Sequence, residues 1–115
     1  MTNNNEVLNL LKNDYNFQKS FFAEIISNYT SNRKIDIFKN LELLDKEDYP
    51  SNIDNYIINN EKECIFIIVL NEYDKNTKKK KINYLWKWKL NNAANYNLYN
   101  RVFLINIDDY ITIKK

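Results

Sequence analysis

The sequence predicts an α+β fold, with N-terminal helices packed on a mainly antiparallel β-sheet of about four to five strands. Two observations support this prediction. Apolar residues recur at helical spacing in the first third of the chain, whereas from Glu63 onward they alternate or run together as in strands. The chain of 115 residues, 44% of them hydrophobic, suits one globular domain covering residues 1–115, with residues 1–5 expected to be mobile.

The N-terminal apolar pattern is the clearest helical signal. It begins with Val7–Leu11 and continues over residues 17–29 with helical spacing. Asn13 or Asp14 can cap a second segment, which gives a short helix followed by a longer one, or one bent helix. The polar run TSNR at residues 30–33 ends the pattern.

The stretch 35–45 fits two interpretations. Its apolar residues alternate as in strands, whereas Ile37, Leu41 and Leu44 keep helical spacing. We expect a β-hairpin or a pair of strands here. Ser51 then caps a further short helix.

The second half of the chain has the pattern of a sheet. Residues 64–70 are apolar on both alternating faces, which is typical of an interior strand. Residues 74–80 form a polar connector to a returning strand at 81–90. A further strand is predicted at 101–107, followed by a turn at the paired aspartates and a short final strand at 110–113.

The chain contains no glycine and one proline, while Asn, Lys, Ile and Tyr are abundant. Such a bias is typical of an A/T-rich genome, as in low-GC bacteria, their phages and plasmids, and some viruses and protists. Without glycine, backbone positions with positive φ are expected to fall to Asn or Asp. The candidates are Asn40, Asn60, Asn76, Asn92 and Asn100.

Residues 74–89 carry a dense positive charge. They hold seven lysines against Asp74 alone, although the net charge of the whole chain is only +2, so the remainder is net acidic, above all in 36–63. A projecting cluster of cations attracts phosphates and releases counterions. The alternative is a solvated turn in a lysine-rich sequence. The candidate binding residues are Lys75, Lys78, Lys79, Lys80, Lys81, Lys87 and Lys89.

Alternation along the strand 81–90 predicts that its aromatic and basic side chains lie on opposite faces. We expect the two tryptophans to pack inward against the helix carrying Phe21 and Ile25, which leaves only the lysines for function. The alternative is an exposed aromatic platform that stacks on nucleic-acid bases. The predicted faces are Ile82, Tyr84, Trp86, Trp88 and Leu90 on one side, and Lys81, Asn83, Leu85, Lys87 and Lys89 on the other.

The residues of several common catalytic sites are missing. The chain has no histidine, which excludes Ser-His-Asp and Cys-His catalysis and imidazole metal sites. Without glycine it has no glycine-rich phosphate-binding loop. Cys64 opens an apolar strand and is expected to be a packed thiol, and Asp108-Asp109 a turn and not a metal site. We therefore expect no enzymatic activity, no cofactor and no metal.

The sequence also indicates where the protein works. No segment approaches the roughly 18 apolar residues of a membrane span, and the N-terminus lacks the basic region of a signal peptide. A single cysteine forms no internal disulfide, which fits a reducing compartment. We expect a protein without membrane association, in the cytoplasm of the producing or a host cell.

Segregated charge without catalytic residues favours a binding protein. Our first hypothesis is a stoichiometric inhibitor or accessory factor of phage, viral or mobile-element type, such as an anti-CRISPR or immunity protein. It would dock on a larger protein or ribonucleoprotein that handles nucleic acid. The second hypothesis is direct contact with a nucleic-acid backbone through the hairpin 74–89, and the third is a subunit of a ribonucleoprotein or polymerase assembly. The chain is expected to be a monomer, or a homodimer if strand 109–113 is an uncovered edge.

Overall fold

The structure, a computed structural model, describes residues 4–50, 63–98 and 101–111. Three helices are followed by a four-stranded mixed sheet, so the predicted α+β class is confirmed. The helices are α1 (Asn4–Asn13), α2 (Tyr15–Thr30) and α3 (Lys34–Asn40), and the strands are β1 (Leu41–Asp48), β2 (Cys64–Asp74), β3 (Lys79–Leu90) and β4 (Arg101–Asn106), with short 3-10 helices at Ala93–Tyr96 and Asp108–Tyr110.

The chain divides into two compact units. One consists of Met1–Leu41 and Asp109–Lys115 and contains the helices. The other, Glu42–Asp108, contains the sheet. The single domain predicted from the sequence stays a prediction.

A side-chain cap separates α1 from α2. Asp14 has an extended backbone, and its carboxylate accepts a hydrogen bond from the Phe17 N–H at 3.0 Å. A cap of this kind satisfies one of the first amide groups of a helix, which have no partner within it. The prediction of a short helix followed by a longer one is therefore confirmed. Helix α2 ends at Ser31, which adopts the left-handed conformation with φ 59° inside the predicted polar run.

Residues 34–40 form a helix, so the strand predicted at the start of 35–45 was wrong. The Arg33 guanidinium donates to the Asp36 carboxylate at 2.8 Å across the first turn, and this hydrogen bond holds the pKa of Asp36 below its ordinary value. Ile37 is fully buried whereas Ile35 is 62% exposed, although a strand would place both on one face. The helical spacing of Ile37 was the better signal, and the strand that was expected here begins only at Leu41.

The sheet has the strand order β1-β3-β2-β4. Strands β2 and β3 form an antiparallel hairpin, whereas β4 runs parallel to β2, so the sheet is mixed. The predicted interior strand is confirmed, because β2 has a neighbour on each side and all of Cys64–Leu70 is buried. Phe66 and Phe103 stack at 4.9 Å between ring centroids across the parallel pair.

A one-residue irregularity in the hairpin changes which β3 residues share a face. Leu70 lies opposite Tyr84, but the next residue, Asn71, lies opposite Ile82, which leaves Asn83 as an extra residue in β3. A bulge of this kind reverses the alternation beyond it, because side chains in a strand have a period of two.

The bulge corrects two of the predicted face assignments. Ile82 packs against a buried cluster of four other apolar residues and not beside Trp86. Lys81 was predicted on the opposite face from Tyr84 and Trp86, but in the structure it lies on the same face as these two residues. The remaining members of the Ile82 cluster are Ile65, Ile67, Val69 and Leu85.

Other predictions concern the C-terminal strand and segments that lie outside the described residues. Asp108–Tyr110 form a 3-10 helix where the last strand was expected to begin. The expectation of a monomer or homodimer stays a prediction. Residues 1–3, the helix predicted from Ser51, and 112–115 lie outside the described residues.

Positive φ angles were predicted for five asparagines, and of the three that the structure describes only Asn92 has one. Asn40 lies in α3 and Asn76 in the hairpin turn without positive φ, while Asn60 and Asn100 lie outside the described residues. A lysine and a tyrosine adopt this conformation instead, so the absence of glycine is not compensated by Asn or Asp alone. Among the described residues, the positive φ angles are at Ser31, Tyr49, Lys78, Asn92 and Asn97.

Candidate functional site

The β2–β3 hairpin carries the seven lysines proposed as binding residues. Its pairing runs from Cys64 opposite Leu90 at one end to Asp74 opposite Lys79 at the other, and residues 75–78 form the turn. At about 3.3 Å per residue the hairpin is about 35 Å long. Lysines near the turn and lysines near Leu90 therefore belong to separate places on the sheet.

Four exposed lysines surround the turn, and we call them the tip cluster: Lys75, Lys78, Lys79 and Lys81. No carboxylate among the described side chains forms an ion pair with any of the first three. The register places Glu72 opposite Lys81 and Asp74 opposite Lys79. Residues 72–81 nevertheless hold five lysines against these two acids, so the tip is net positive. The fifth is Lys80, which lies in β3 opposite Tyr73.

The other two predicted lysines lie far from the tip cluster. The Lys89 ammonium pairs with the Glu63 carboxylate at 3.0 Å, and both side chains are only about a quarter exposed, 28% and 26%. Lys87 is partly buried and lies opposite Ile67. The predicted set of seven is therefore not one site, because these two lysines lie toward the Leu90 end of the hairpin, opposite to the turn.

Tyr49 lies next to the tip cluster, although the sequence does not point to it. Its N–H donates to the Asn83 carbonyl at 2.7 Å, which joins the end of β1 to the bulge in β3. Its ring centroid lies 4.8 Å from the Lys81 ammonium and 6.4 Å from the Tyr84 ring. Tyr49 is still 58% exposed. Only the pairing of β1 with β3 brings these residues together, so no spacing in the sequence could reveal the contact.

The bulge places the lysines on the aromatic side of β3. Because the alternation reverses at Asn83, Lys81 shares a face with Tyr84, and Lys79 follows two residues along on the same face. A regular strand would turn Lys81 to the opposite face, away from Tyr84. The Lys81 ammonium and the exposed ring of Tyr49 are neighbours because of one extra residue in β3.

The tryptophans are not part of this surface. Trp86 and Trp88 are both 0% exposed, so the prediction that they point inward is confirmed and neither is available as a stacking platform. The Trp86 ring lies 6.0 Å from that of Tyr84, which connects the buried aromatic residues to the partly exposed ones. Their packing against the helix of Phe21 and Ile25 stays a prediction.

Among the described residues, the Cys64 thiol and the Asp108 carboxylate, which could suggest a nucleophile or a metal ligand, have structural roles. Burial raises the pKa of the Cys64 thiol to about 12, so the thiol stays protonated and a poor nucleophile at neutral pH. Asp108 accepts a hydrogen bond from the Asn71 N–H at 2.9 Å, which ties the turn after β4 to β2. Within residues 4–50, 63–98 and 101–111, no three potential ligands converge as a metal site would require.

Comparisons with protein-family models, curated proteins and solved structures found no match for the chain. None of the helices in the described part of the chain is long and apolar enough to cross a membrane. The interpretation of the site therefore depends on its own chemistry, which is a set of exposed ammonium groups beside an exposed aromatic ring.

Proposed function

We propose that this protein is a non-enzymatic binding protein that docks on a larger protein or ribonucleoprotein handling nucleic acid. It acts there as a stoichiometric inhibitor or accessory factor, with the tip cluster directed toward the nucleic acid. The observation that supports this proposal is the tip cluster itself, in which four exposed lysines occupy the end of a hairpin. Ammonium groups so placed attract phosphates over several ångströms and release bound counterions.

The edge strand β1 gives the unit that contains the sheet a set of exposed acidic side chains, opposite in charge to the tip cluster. Glu42, Asp45 and Asp48 are exposed on this strand, which borders β3 in the sheet. Proteins that bind nucleic acid carry basic grooves, and acidic side chains on a partner complement them. An acidic edge and a basic tip on one small sheet suit a protein that contacts both a basic channel and its nucleic acid. Phage, viral and mobile-element inhibitors of defence systems, such as anti-CRISPR proteins, are the type we favour.

Direct binding of nucleic acid is the second candidate function, and the contact between Lys81 and Tyr49 favours it. Cations beside an exposed aromatic ring can hold a nucleic-acid strand without any protein partner. In this case the phosphate backbone supplies most of the affinity, and the site reads no base sequence.

Capture of partners from nuclease-treated lysate tests the first candidate. We expect the tagged protein to retain one nucleic-acid-handling protein in stoichiometric amount, and to reduce that protein's activity with an end point near one to one. The variant Lys78→Asn/Lys79→Gln is expected to keep the partner but to lose inhibition, because the tip and not the acidic edge would face the nucleic acid. The matched control Lys34→Gln/Lys39→Gln removes the same charge from α3 and should behave as wild type. A set of ribosomal or polymerase subunits would instead support an assembly subunit and contradict the inhibitor.

A binding titration with labelled oligonucleotides tests the second candidate. The purified protein is expected to bind at about 50 mM salt and to release the oligonucleotide as salt rises. Absence of binding at that salt concentration would exclude direct recognition by the tip cluster, whereas the docking proposal would stand.

A further inference from the structure

We infer that the tip cluster and Tyr49 together form a binding site for single-stranded nucleic acid, in which the Tyr49 ring stacks on a base and the lysines contact the adjoining phosphates. The inference rests on the direct-binding form of the proposed function. It goes further because it names the kind of strand and the residue that contacts the base.

The Tyr49 ring is held in place but remains accessible. Its backbone N–H is bound to the Asn83 carbonyl at 2.7 Å, and the Tyr84 ring lies 6.4 Å away on one side. The Lys81 ammonium lies 4.8 Å from the ring centroid, within the range of a cation–π contact. With these contacts in place, 58% of the residue surface still faces solvent. A ring positioned in this way loses little conformational freedom when a base stacks on it.

The backbone of Tyr49 also departs from the usual conformation of an aromatic residue. Its φ of 53° lies in the left-handed region, which side chains with a Cβ rarely adopt. Residues held in such conformations are concentrated at ligand-binding and active sites. The hydrogen bond to Asn83 holds the Tyr49 backbone at the end of β1, and its ring lies beside Lys81 and Tyr84.

The arrangement of charge fits a strand that runs past the ring. Lys79 and Lys81 lie on the face of Tyr84, about 7 Å apart along β3. Lys75 and Lys78 continue the cationic surface around the turn. A flexible strand can place a base on Tyr49 and its phosphates beside these ammonium groups.

The exposed ring distinguishes single strands from duplexes. In a duplex each base is stacked between its neighbours, so its face is not available to a protein side chain without unstacking. In a single strand every base can offer a face to an aromatic ring, and the contact tolerates any sequence. A duplex would use only the lysines, and Tyr49 would contribute nothing.

Fluorescence anisotropy with four labelled probes of equal length tests the inference. The probes are single-stranded DNA, single-stranded RNA of the same sequence, the DNA duplex, and an abasic DNA strand with the same number of phosphates. Wild type is expected to bind both single strands at least about fivefold more tightly than the abasic strand. Tighter binding of either the DNA or the RNA strand identifies which sugar the site prefers, and either result supports the inference.

Substitutions of Tyr49 separate stacking from charge. Tyr49→Ala is expected to weaken binding of single strands by about fivefold or more, and to leave binding of the abasic strand unchanged. Tyr49→Phe should bind as wild type, because the ring is retained. The matched control is Tyr110→Ala, since Tyr110 is 51% exposed and lies outside the sheet unit. Tyr49→Trp should tighten binding of the single strands and leave binding of the abasic strand unchanged, a selective gain that misfolding would not produce.

The outcomes distinguish this inference from the function on which it rests. If Lys78→Asn/Lys79→Gln weakens binding but Tyr49→Ala and Tyr49→Trp bind as wild type, the lysine contact stands and the stacking role of Tyr49 is refuted. Equal affinity for the abasic strand, or a preference for the duplex, refutes it as well. If wild type binds none of the four probes, direct nucleic-acid binding fails and the inference fails with it.

Discussion

The number of lysines in the tip cluster predicts how strongly salt weakens binding of a single strand. Each phosphate neutralised on a single strand contributes about −0.7 to the slope of log K against log salt concentration. The four lysines Lys75, Lys78, Lys79 and Lys81 therefore give a slope of about −2.8. Between 50 and 200 mM salt, affinity should fall about 50-fold.

The perturbation is Lys78→Asn/Lys79→Gln, which removes two of the four charges. Asparagine is chosen at position 78 because Lys78 has a φ of 56°, which asparagine tolerates better than alanine. The slope should fall to about −1.4, and affinity should drop only about sevenfold over the same range of salt. The assay is anisotropy of a labelled single-stranded oligonucleotide at five or six salt concentrations.

The control for the change in net charge is Lys34→Gln/Lys39→Gln, in α3. Both lysines are exposed, and the contact of Lys34 with Glu24 is a long surface pair at 3.8 Å that contributes little to stability. This variant should keep a slope of about −2.8. If both variants change the slope equally, net charge and not the tip cluster determines binding, and the reasoning is refuted.

Other predictions concern the fold that supports the site. Trp88→Ala should lower the free energy of unfolding in urea by about 3–5 kcal/mol, since Trp88 is fully buried opposite Phe66; a loss below about 1 kcal/mol would contradict its place in the core. Asp14→Ala should cost about 1 kcal/mol by removing the cap of α2, and Asp14→Asn, which can also cap, should cost much less. Burial raises the pKa of the Cys64 thiol from 9.0 to about 12, so the unfolded chain loses this proton first and stability should fall as pH rises between about 9 and 12. The thiol's contribution to the pH dependence of the free energy of unfolding is at most about 1.4 kcal/mol per pH unit, and Cys64→Ala should lack it. Identical pH profiles of unfolding for wild type and Cys64→Ala would show that the thiol is not desolvated.

Features set by local periodicity could be predicted from the sequence. The break between α1 and α2 depends on Asp14 and the residues just after it, and the burial of Cys64–Leu70 follows from a continuous apolar run. Helix α3 shows the limit of this approach. The alternation of Ile35 and Ile37 is compatible with a strand. Two features of the structure fit a helix instead: the ion pair between Arg33 and Asp36 across one turn, and the burial of Ile37 without Ile35.

Features that depend on pairing between distant segments could not be predicted. The bulge at Asn83 arises from the registers of two strands, and alternation read from β3 alone assigns Lys81 to the wrong face. Tyr49 meets Lys81 only because β1 borders β3, and nothing in the residues around position 49 indicates this. The candidate site is therefore assembled by the sheet, even though all four lysines of the tip cluster are among the candidates predicted from the sequence.

The same salt experiment discriminates between the site read from the sequence and the site seen in the structure. If all seven lysines of the hairpin contacted phosphates, the slope for a single strand would be about −4.9. The structure pairs Lys89 with Glu63 and leaves Lys87 partly buried, so neither belongs to the tip cluster and the slope should be about −2.8. Engagement of Lys80 as a fifth contact would add only about −0.7. A slope near −5 that becomes shallower in Lys89→Gln would show that the strand runs along the whole hairpin, and the assignment of the site to its tip would then be wrong.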